Sequence, residues 1–174
     1  MILWHTGATL AILWFVFRGS TRLDYRLAML GSILPDLVDK PVGRVLFRDQ
    51  LDSGRLWGHS LLVNVLFFSV LFFMRGRGKR RLVLVPVGSL LHLALDGVWA
   101  QPRVFWWPLF GWEMPAHPIE GGWLVYLQPQ ILLLEALGAG LLLWMFAAHG
   151  MLNREGLRAF VRTGHLEMAR ERTP

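Results

Sequence analysis

The stretch "LLHLALDG" (residues 90–97) places a histidine and an aspartate inside an otherwise apolar segment. Side chains at positions i and i+4 of a helix lie on one face, so His92 and Asp96 are predicted to be neighbours. An ionisable side chain at the centre of a membrane helix costs roughly 2.5–3.5 kcal/mol, and such residues usually serve function. The pair therefore raises the hypothesis of a functional site inside a membrane helix bundle.

The composition excludes an ordinary soluble domain. Of the 174 residues 54% are hydrophobic, and the apolar runs are too long for a soluble fold. The formal charge of +6 comes from short basic clusters between these runs, which is the membrane pattern, and no nucleic-acid-binding motif accompanies it. Because the chain has no cysteine, any metal ion must be held by histidine and carboxylate groups.

Apolar segments predict an all-α, polytopic transmembrane helix bundle of about five membrane segments. They are residues 2–17, 27–38, 60–74, 82–100 and 123–148. At about 1.5 Å per residue, only the fourth and fifth comfortably cross a hydrocarbon core of roughly 30 Å. The second is short and contains Pro35, so it is interpreted either as a crossing or as a re-entrant half-helix.

The basic clusters predict the orientation of a multi-pass protein of the inner (cytoplasmic) membrane. Residues 18–26, the stretch "RGRGKRR" (75–81) and the C-terminal tail are arginine-rich, so we expect them to be cytoplasmic. Residues 1–149 are predicted to form a membrane-embedded domain that carries the site. Residues 150–174 are predicted to form a basic amphipathic tail, which either lies on the inner membrane surface or is solvated.

Histidines and aspartates of four segments are predicted to lie at one depth in the membrane. Counted from the nearest basic cluster, their heights are about 15–24 Å above the cytoplasmic boundary, towards the extracytoplasmic side. This agreement requires the second segment to cross. The residues concerned are His5, Asp36, His59, His92 and Asp96.

Imidazole and carboxylate ligands without thiolates suit Zn²⁺, with Mn²⁺ as another possibility. Five ligands exceed one tetrahedral shell, so we expect one or two ions. Asp39 is predicted to be a catalytic general base, with the alternative that it orients a ligand histidine. Glu135 is either a ligand or a structural partner. Arg55 and Arg103 are predicted to bind a substrate phosphate.

Four blocks of sequence carry a family resemblance. They are "WHTGATLA" (4–11), "GSILPDLVDKPVG" (31–43), "GRLWGHSLL" (54–62) and "HLALDGVW…FWWPLFGW" (92–112). In this order they resemble the YdjM-like family of inner-membrane metal-dependent hydrolases over roughly residues 1–112. The resemblance implies metal binding by the five residues named above. The order of His, Pro-Asp, His and His-x₃-Asp is also similar to zinc-dependent phospholipase C, which implies phosphoester hydrolysis.

The expected function is therefore a membrane-bound, metal-dependent hydrolase that acts on a phospholipid or a lipid-linked phosphoester through a metal-activated water. Membrane lipids are the expected partners. One alternative is a divalent-metal transporter or carrier that uses the same residues. Another is a structural membrane protein in which the His–Asp pairs only fix helix packing. Few polar side chains are predicted on the cytoplasmic side of the metal layer, which favours the enzyme.

Overall fold

The computed structural model describes residues 1–18, 23–76, 78–116 and 126–166. These residues form helices and turns without a β-strand, so the predicted all-α class is confirmed. A π-helical turn, Val42–Leu46, follows the second helix, and short 3₁₀ turns occupy Trp57–His59 and Val98–Ala100. The α-helices are α1 (Ile2–Val16), α2 (Tyr25–Pro41), α3 (Leu61–Phe73), α4 (Lys79–Leu82), α5 (Leu84–Leu95), α6 (Pro102–Phe105), α7 (Pro129–Ala148) and α8 (Arg154–Thr163).

The second apolar segment forms one continuous helix. Helix α2 has 17 residues and runs through Pro35, although a proline inside a helix removes one backbone hydrogen bond. Its length of about 26 Å exceeds that expected for residues 27–38 alone. The helix carries both Asp36 and Asp39 on its last two turns. Whether it crosses the membrane or re-enters it stays a prediction.

The fourth segment is shorter than predicted. Helix α5 has 12 residues and ends at Leu95, and Gly97 follows it with φ 63°. A glycine in this left-handed conformation terminates a helix. The chain then turns through Val98–Ala100, so residues 82–100 do not form the single long helix that the apolar run indicated.

Helix α7 is the one described helix that is long and apolar enough to cross a membrane. It has 20 residues, a mean hydropathy of 2.1 over its best window, and only Gly138 and Met145 buried. Leucines such as Leu133 and Leu143 are exposed on it. Helices α1 and α3 are apolar but shorter. The five predicted crossings therefore remain a prediction.

Glycines allow two pairs of helices to approach closely. A Cβ atom on Gly7 of α1 would lie 2.3 Å from the carbonyl oxygen of Gly138 in α7. Similarly, a Cβ on Gly31 of α2 would lie 2.0 Å from the carbonyl oxygen of Val85 in α5, and one on Gly88 would meet the α2 backbone. Small residues at such crossings are typical of membrane helices. They bring α1 against α7 and α2 against α5, so two of the helices that carry predicted ligands, α2 and α5, pack closely on each other.

The start of the C-terminal tail packs onto one end of this bundle. The main-chain N–H of Tyr25 donates to the carbonyl of Gly164 (2.8 Å), and Arg26 donates to the carbonyl of Val161. The tail through residue 166 therefore contacts the segment before α2, while residues 167–174 lie outside the described part of the chain. Buried apolar side chains of both regions share one core: Leu10, Leu13, Tyr25, Ala28, Leu84, Met145, Met151, Phe160 and Leu166.

Candidate metal centre

His92 and Asp96 lie on one face at the end of α5, as the four-residue spacing predicts. Asp96 directly follows the last helical residue, and its main-chain N–H donates to the carbonyl of His92 (2.9 Å). His92 is fully buried, and the Asp96 side chain is only 7% exposed. The spacing is kept because the helical backbone continues to Asp96, and the chain leaves the helix only at Gly97.

Three further residues meet this pair from other elements. His5 comes from α1, Asp36 from α2 and His59 from the 3₁₀ turn before α3. Candidate ligand atoms of the five lie within 4.8 Å of one another in two groups that share His92. The groups are His5 with His92 and Asp96, and Asp36 with His59 and His92. We refer to these five residues as the His/Asp cluster.

Distances inside the cluster are short. His5 Nε2 lies 3.1 Å from Asp96 Oδ1, and the rings of His5 and His92 stack with their centroids 4.0 Å apart. The Nε2 atoms of His59 and His92 are 3.2 Å apart. Asp36 Oδ1 lies 3.6 Å from His59 Nε2 and 3.9 Å from His92 Nε2. The structure thus brings together every residue that the sequence assigned to metal binding.

Each imidazole in the cluster is oriented through its Nδ1 atom. His59 Nδ1 donates to Asp39 Oδ2 and His92 Nδ1 donates to the carbonyl of Ser32, both at 2.6 Å. His5 Nδ1 donates to the main-chain carbonyl one turn earlier. Because these oxygens only accept, the proton is assigned to Nδ1, and the Nε2 lone pairs point into the cluster. Metal-binding histidines are typically held in this way.

This arrangement fits a cation. Two Nε2 lone pairs that face each other at 3.2 Å repel unless a positive charge lies between them. Nitrogens bound to one tetrahedral zinc ion at about 2.0–2.1 Å are about 3.3 Å apart, which is close to the observed separation. His5 Nε2 is buried, and because the ring proton is on Nδ1, this nitrogen and its neighbour Asp96 Oδ1 are both acceptors and form no hydrogen bond with each other. The donor set of imidazoles and carboxylates therefore suits Zn²⁺ or Mn²⁺.

The two cluster carboxylates each face a basic side chain with their second oxygen. Lys40 Nζ donates to Asp36 Oδ2, and Arg55 Nε donates to Asp96 Oδ2 at 2.9 Å. Their Oδ1 atoms are the oxygens that face the imidazoles. The basic groups thus fix both carboxylates in an orientation that leaves one oxygen of each for the cluster.

Asp39 has the contacts of a positioning residue. Its side chain is fully buried and accepts hydrogen bonds from the main-chain N–H groups of Leu56 (2.7 Å), Gly58 (2.9 Å) and His59 (3.1 Å), besides the His59 ring. A Cβ on Gly58 would lie 2.9 Å from Asp39 Oδ1, so the turn needs glycine for this approach. With both oxygens engaged, the geometry favours the alternative that Asp39 orients His59, rather than the general-base role.

A small cavity of about 180 Å³ opens beside the cluster. Asp36 and Asp96 line it together with Lys40, Arg44 and Arg55, and we call it the cluster cavity. Arg55 was expected near the site, whereas Lys40 and Arg44 were not. The spacing of positions 36, 40 and 44, which follow one helix face, is the sequence signal that identifies them.

Arg103 and Glu135 lie outside the cluster. Arg103 is exposed on α6 and lines a different cavity, with Ser53 and Gln101 among its walls. The structure therefore does not bring Arg103 to the phosphate position predicted for it. Glu135 Oε2 accepts a hydrogen bond from the main-chain N–H of Leu3 (2.9 Å), which corresponds to the structural-partner interpretation.

A comparison with protein families matches residues 4–160 to the YdjM inner membrane protein family. The chain belongs to this family. The match includes α7 and most of α8, so it extends well beyond residues 1–112, where the sequence resemblance was expected to end. The family description supports a location in the inner membrane. No match was found among curated proteins or among solved structures.

Proposed function

We propose that this YdjM-family protein is a metal-dependent hydrolase that cleaves a phospholipid or a lipid-linked phosphoester at the membrane. The observation that carries the proposal is the convergence of three oriented imidazole Nε2 atoms with two carboxylates in one buried cluster. A divalent ion held there, Zn²⁺ by preference, lowers the pKa of water and stabilises charge on a phosphoryl group.

The side chains divide between holding the ion and binding the substrate. The imidazoles of His5, His59 and His92 provide neutral nitrogen ligands, and Asp36 and Asp96 provide negative charge. Basic groups in the cluster cavity then face an anionic substrate at the edge of the cluster. Burial of the three imidazoles keeps bulk water from the ligand nitrogens, which strengthens electrostatic interactions at the site.

We further propose a multi-pass topology of five segments, with the cluster towards the extracytoplasmic side. Packing of the tail against Tyr25 and Arg26 supports this orientation, because the positive-inside rule assigns both regions to the cytoplasm. Helices α1, α3 and α5 are short for a crossing, so this topology requires flanking residues or a thinned bilayer to complete them.

The apolar core supports a hydrolase over a metal carrier. Leu10 and Leu13 follow His5 along α1, Ala28 precedes Asp36 along α2, and Leu84 precedes His92 along α5; all four are buried in one apolar core. This core lies between the cluster and the tail-bearing end of the bundle. A carrier needs a polar route through that region.

Metal analysis combined with a hydrolysis assay tests the proposal. The full chain in nanodiscs is expected to contain one or two divalent ions and to release product from lipid phosphoesters. A chelator should abolish turnover, and added Zn²⁺ or Mn²⁺ should restore it. Metal flux into liposomes without hydrolysis would favour the carrier, and a folded, metal-free protein would favour the structural role. Either result would contradict the hydrolase.

A further inference from the structure

We propose that Lys40 and Arg44, together with Arg55, form an anion clamp that selects substrates ending in a phosphate monoester over phosphodiester lipids. This inference rests on the proposed function and names its substrate class. In the reaction, water attacks phosphorus and the ester P–O bond breaks. A lipid alcohol and inorganic phosphate are released, and the alcohol oxygen takes a proton from the attacking water.

Lys40 and Arg44 lie one and two turns beyond Asp36 on the same side of the chain. Lys40 is half-buried and pairs with Asp36, so its ammonium group borders the cluster. Arg44 belongs to the π-helical turn Val42–Leu46 that continues α2. Such turns frequently occur at functional sites. Here the turn carries the guanidinium of Arg44 into the wall of the cluster cavity.

The guanidinium of Arg44 is held in place, but one of its N–H groups lacks a hydrogen-bond acceptor in the described part of the chain. It donates through Nη1 to the hydroxyl of Tyr126 and lies against Gly54, where a Cβ would be 2.7 Å from Nη2. Its Nε–H is buried and has no hydrogen-bond partner among the described residues. A buried unpaired donor is unfavourable, and phosphate oxygens are among the acceptors that guanidinium groups bind most strongly.

The charges around the cavity favour a doubly charged anion. Asp36 and Asp96 would together neutralise one divalent ion, which would leave the positive charges of Lys40, Arg44 and Arg55 without a net counter-charge in the cavity wall. No further acidic side chain lines the cavity among the described residues. A phosphate monoester carries about −1.5 to −2 at pH 7, whereas a phosphodiester carries a single negative charge.

The size of the cavity agrees with a terminal phosphate. Its volume of about 180 Å³ is below the roughly 300–1,000 Å³ of pockets that enclose drug-sized ligands. The cavity can therefore accept a phosphate group but is too small to enclose a whole lipid. The monoester can belong to a lipid or to a soluble metabolite, and membrane substrates are distinguished from soluble ones in the assay below.

The first experiment uses titration calorimetry to measure the binding of inorganic phosphate to the metal-loaded full chain in nanodiscs. Lys40→Met and Arg44→Gln are each expected to weaken phosphate binding about tenfold or more, as for loss of a charge-assisted hydrogen bond. Gly54→Ala should act in the same direction, because the added methyl displaces the Arg44 guanidinium. Arg48→Gln, at an exposed arginine four residues further on, is the matched control.

The second measurement compares turnover of phosphatidic acid, phosphatidylglycerol with the same acyl chains, and soluble glycerol phosphate. We expect kcat/KM to be at least about tenfold higher for phosphatidic acid than for phosphatidylglycerol, and Lys40→Met and Arg44→Gln to raise KM. If glycerol phosphate is turned over faster than phosphatidic acid, the clamp still stands, but its substrate is a soluble phosphate monoester.

The two proposals fail in different ways. Phosphate binding that is unchanged in Lys40→Met, Arg44→Gln and Gly54→Ala would overturn the clamp. Equal or faster turnover of phosphatidylglycerol would overturn its selectivity while leaving the hydrolase intact. Absence of all hydrolysis, with phosphate binding lost in the variants, would overturn the hydrolase and keep the clamp as an anion site.

Discussion

The Nε2 atoms of His59 and His92 lie 3.2 Å apart, although the residues come from a 3₁₀ turn and from the end of α5. Asp39 and the carbonyl of Ser32 accept the Nδ1 protons, so neither Nε2 carries a hydrogen that bridges the gap. Two buried lone pairs at this distance are unfavourable in isolation and favourable around a cation. A cation bound between these two nitrogens would therefore remove the strongest repulsion in the cluster, which makes the pair the best candidate for the metal position.

Removal of His92 is expected to abolish metal binding. His92 belongs to both ligand groups, so His92→Ala should reduce the bound metal, measured by plasma mass spectrometry, to background. His149→Ala is the matched control, because His149 is also buried and also donates through Nδ1 to a main-chain carbonyl (2.8 Å). Unchanged metal content in His92→Ala would contradict the site.

The substitution Asp39→Asn separates the two roles of this residue. A carboxamide has one acceptor oxygen in place of two, so it no longer holds the turn and the His59 ring together. Loss of an oriented histidine partner typically weakens metal binding about 10–100-fold, and we expect this range in a chelator-competition titration. If metal affinity is instead unchanged while kcat falls and the pH profile loses its acidic limb, Asp39 is the general base.

The meeting of the five cluster residues was predictable from the sequence, because helix geometry sets their relative heights along the chain segments that carry them. Each helical residue advances the chain by about 1.5 Å, so residues of different helices can be compared by counting from the basic clusters. The depth of the site in the membrane stays a prediction. The same regularity places His92 and Asp96 on one face. Both inferences depend on backbone geometry that α1, α2 and α5 keep throughout.

Features that depend on rotation, turns or long-range packing were not predictable. The sequence did not indicate that Asp39 turns towards the His59 turn while Lys40 turns towards the cavity, because that depends on how α2 packs. Arg103 lies in α6, after Gly97 and the 3₁₀ turn Val98–Ala100, so no periodicity relates it to the cluster. The sequence also did not indicate where α8 docks, because an amphipathic helix can pack on a protein surface or on a membrane surface.

Two glycines of α7 provide a test of the helix packing. A Cβ on Gly138 would lie 2.3 Å from backbone atoms of Leu3 and Trp4, whereas one on Gly140 would meet nothing within 4 Å. Gly138→Ala is expected to lower the free energy of unfolding by about 1–3 kcal/mol through overpacking. Gly140→Ala should be neutral or raise it by up to about 1 kcal/mol. The measurement is reversible unfolding in detergent, and similar effects of both variants would contradict the close contact of α1 and α7.

Docking of the tail is expected to weaken in acid. Arg26 donates to both carboxylate oxygens of Asp24 (2.9 and 2.7 Å) and also to the carbonyl of Val161 in α8. The hydrogen bonds from Arg26 lower the pKa of Asp24 in the folded protein. A carboxyl group with a depressed folded pKa contributes stability above its unfolded value of about 3.9, and this contribution is lost as the pH falls through the folded value.

Hydrogen exchange of the α8 amides checks this expectation once intrinsic exchange rates are subtracted. Protection should be constant from neutral pH down to about 4 and should fall below it. Asp24→Asn should reduce protection at neutral pH and remove the acidic transition, because the Arg26 pairing is lost at every pH. Glu155→Gln, which removes an exposed carboxyl group of α8 itself, is the control and should leave the transition in place. If the loss of protection in acid persists in Asp24→Asn, a titrating group other than Asp24 causes it.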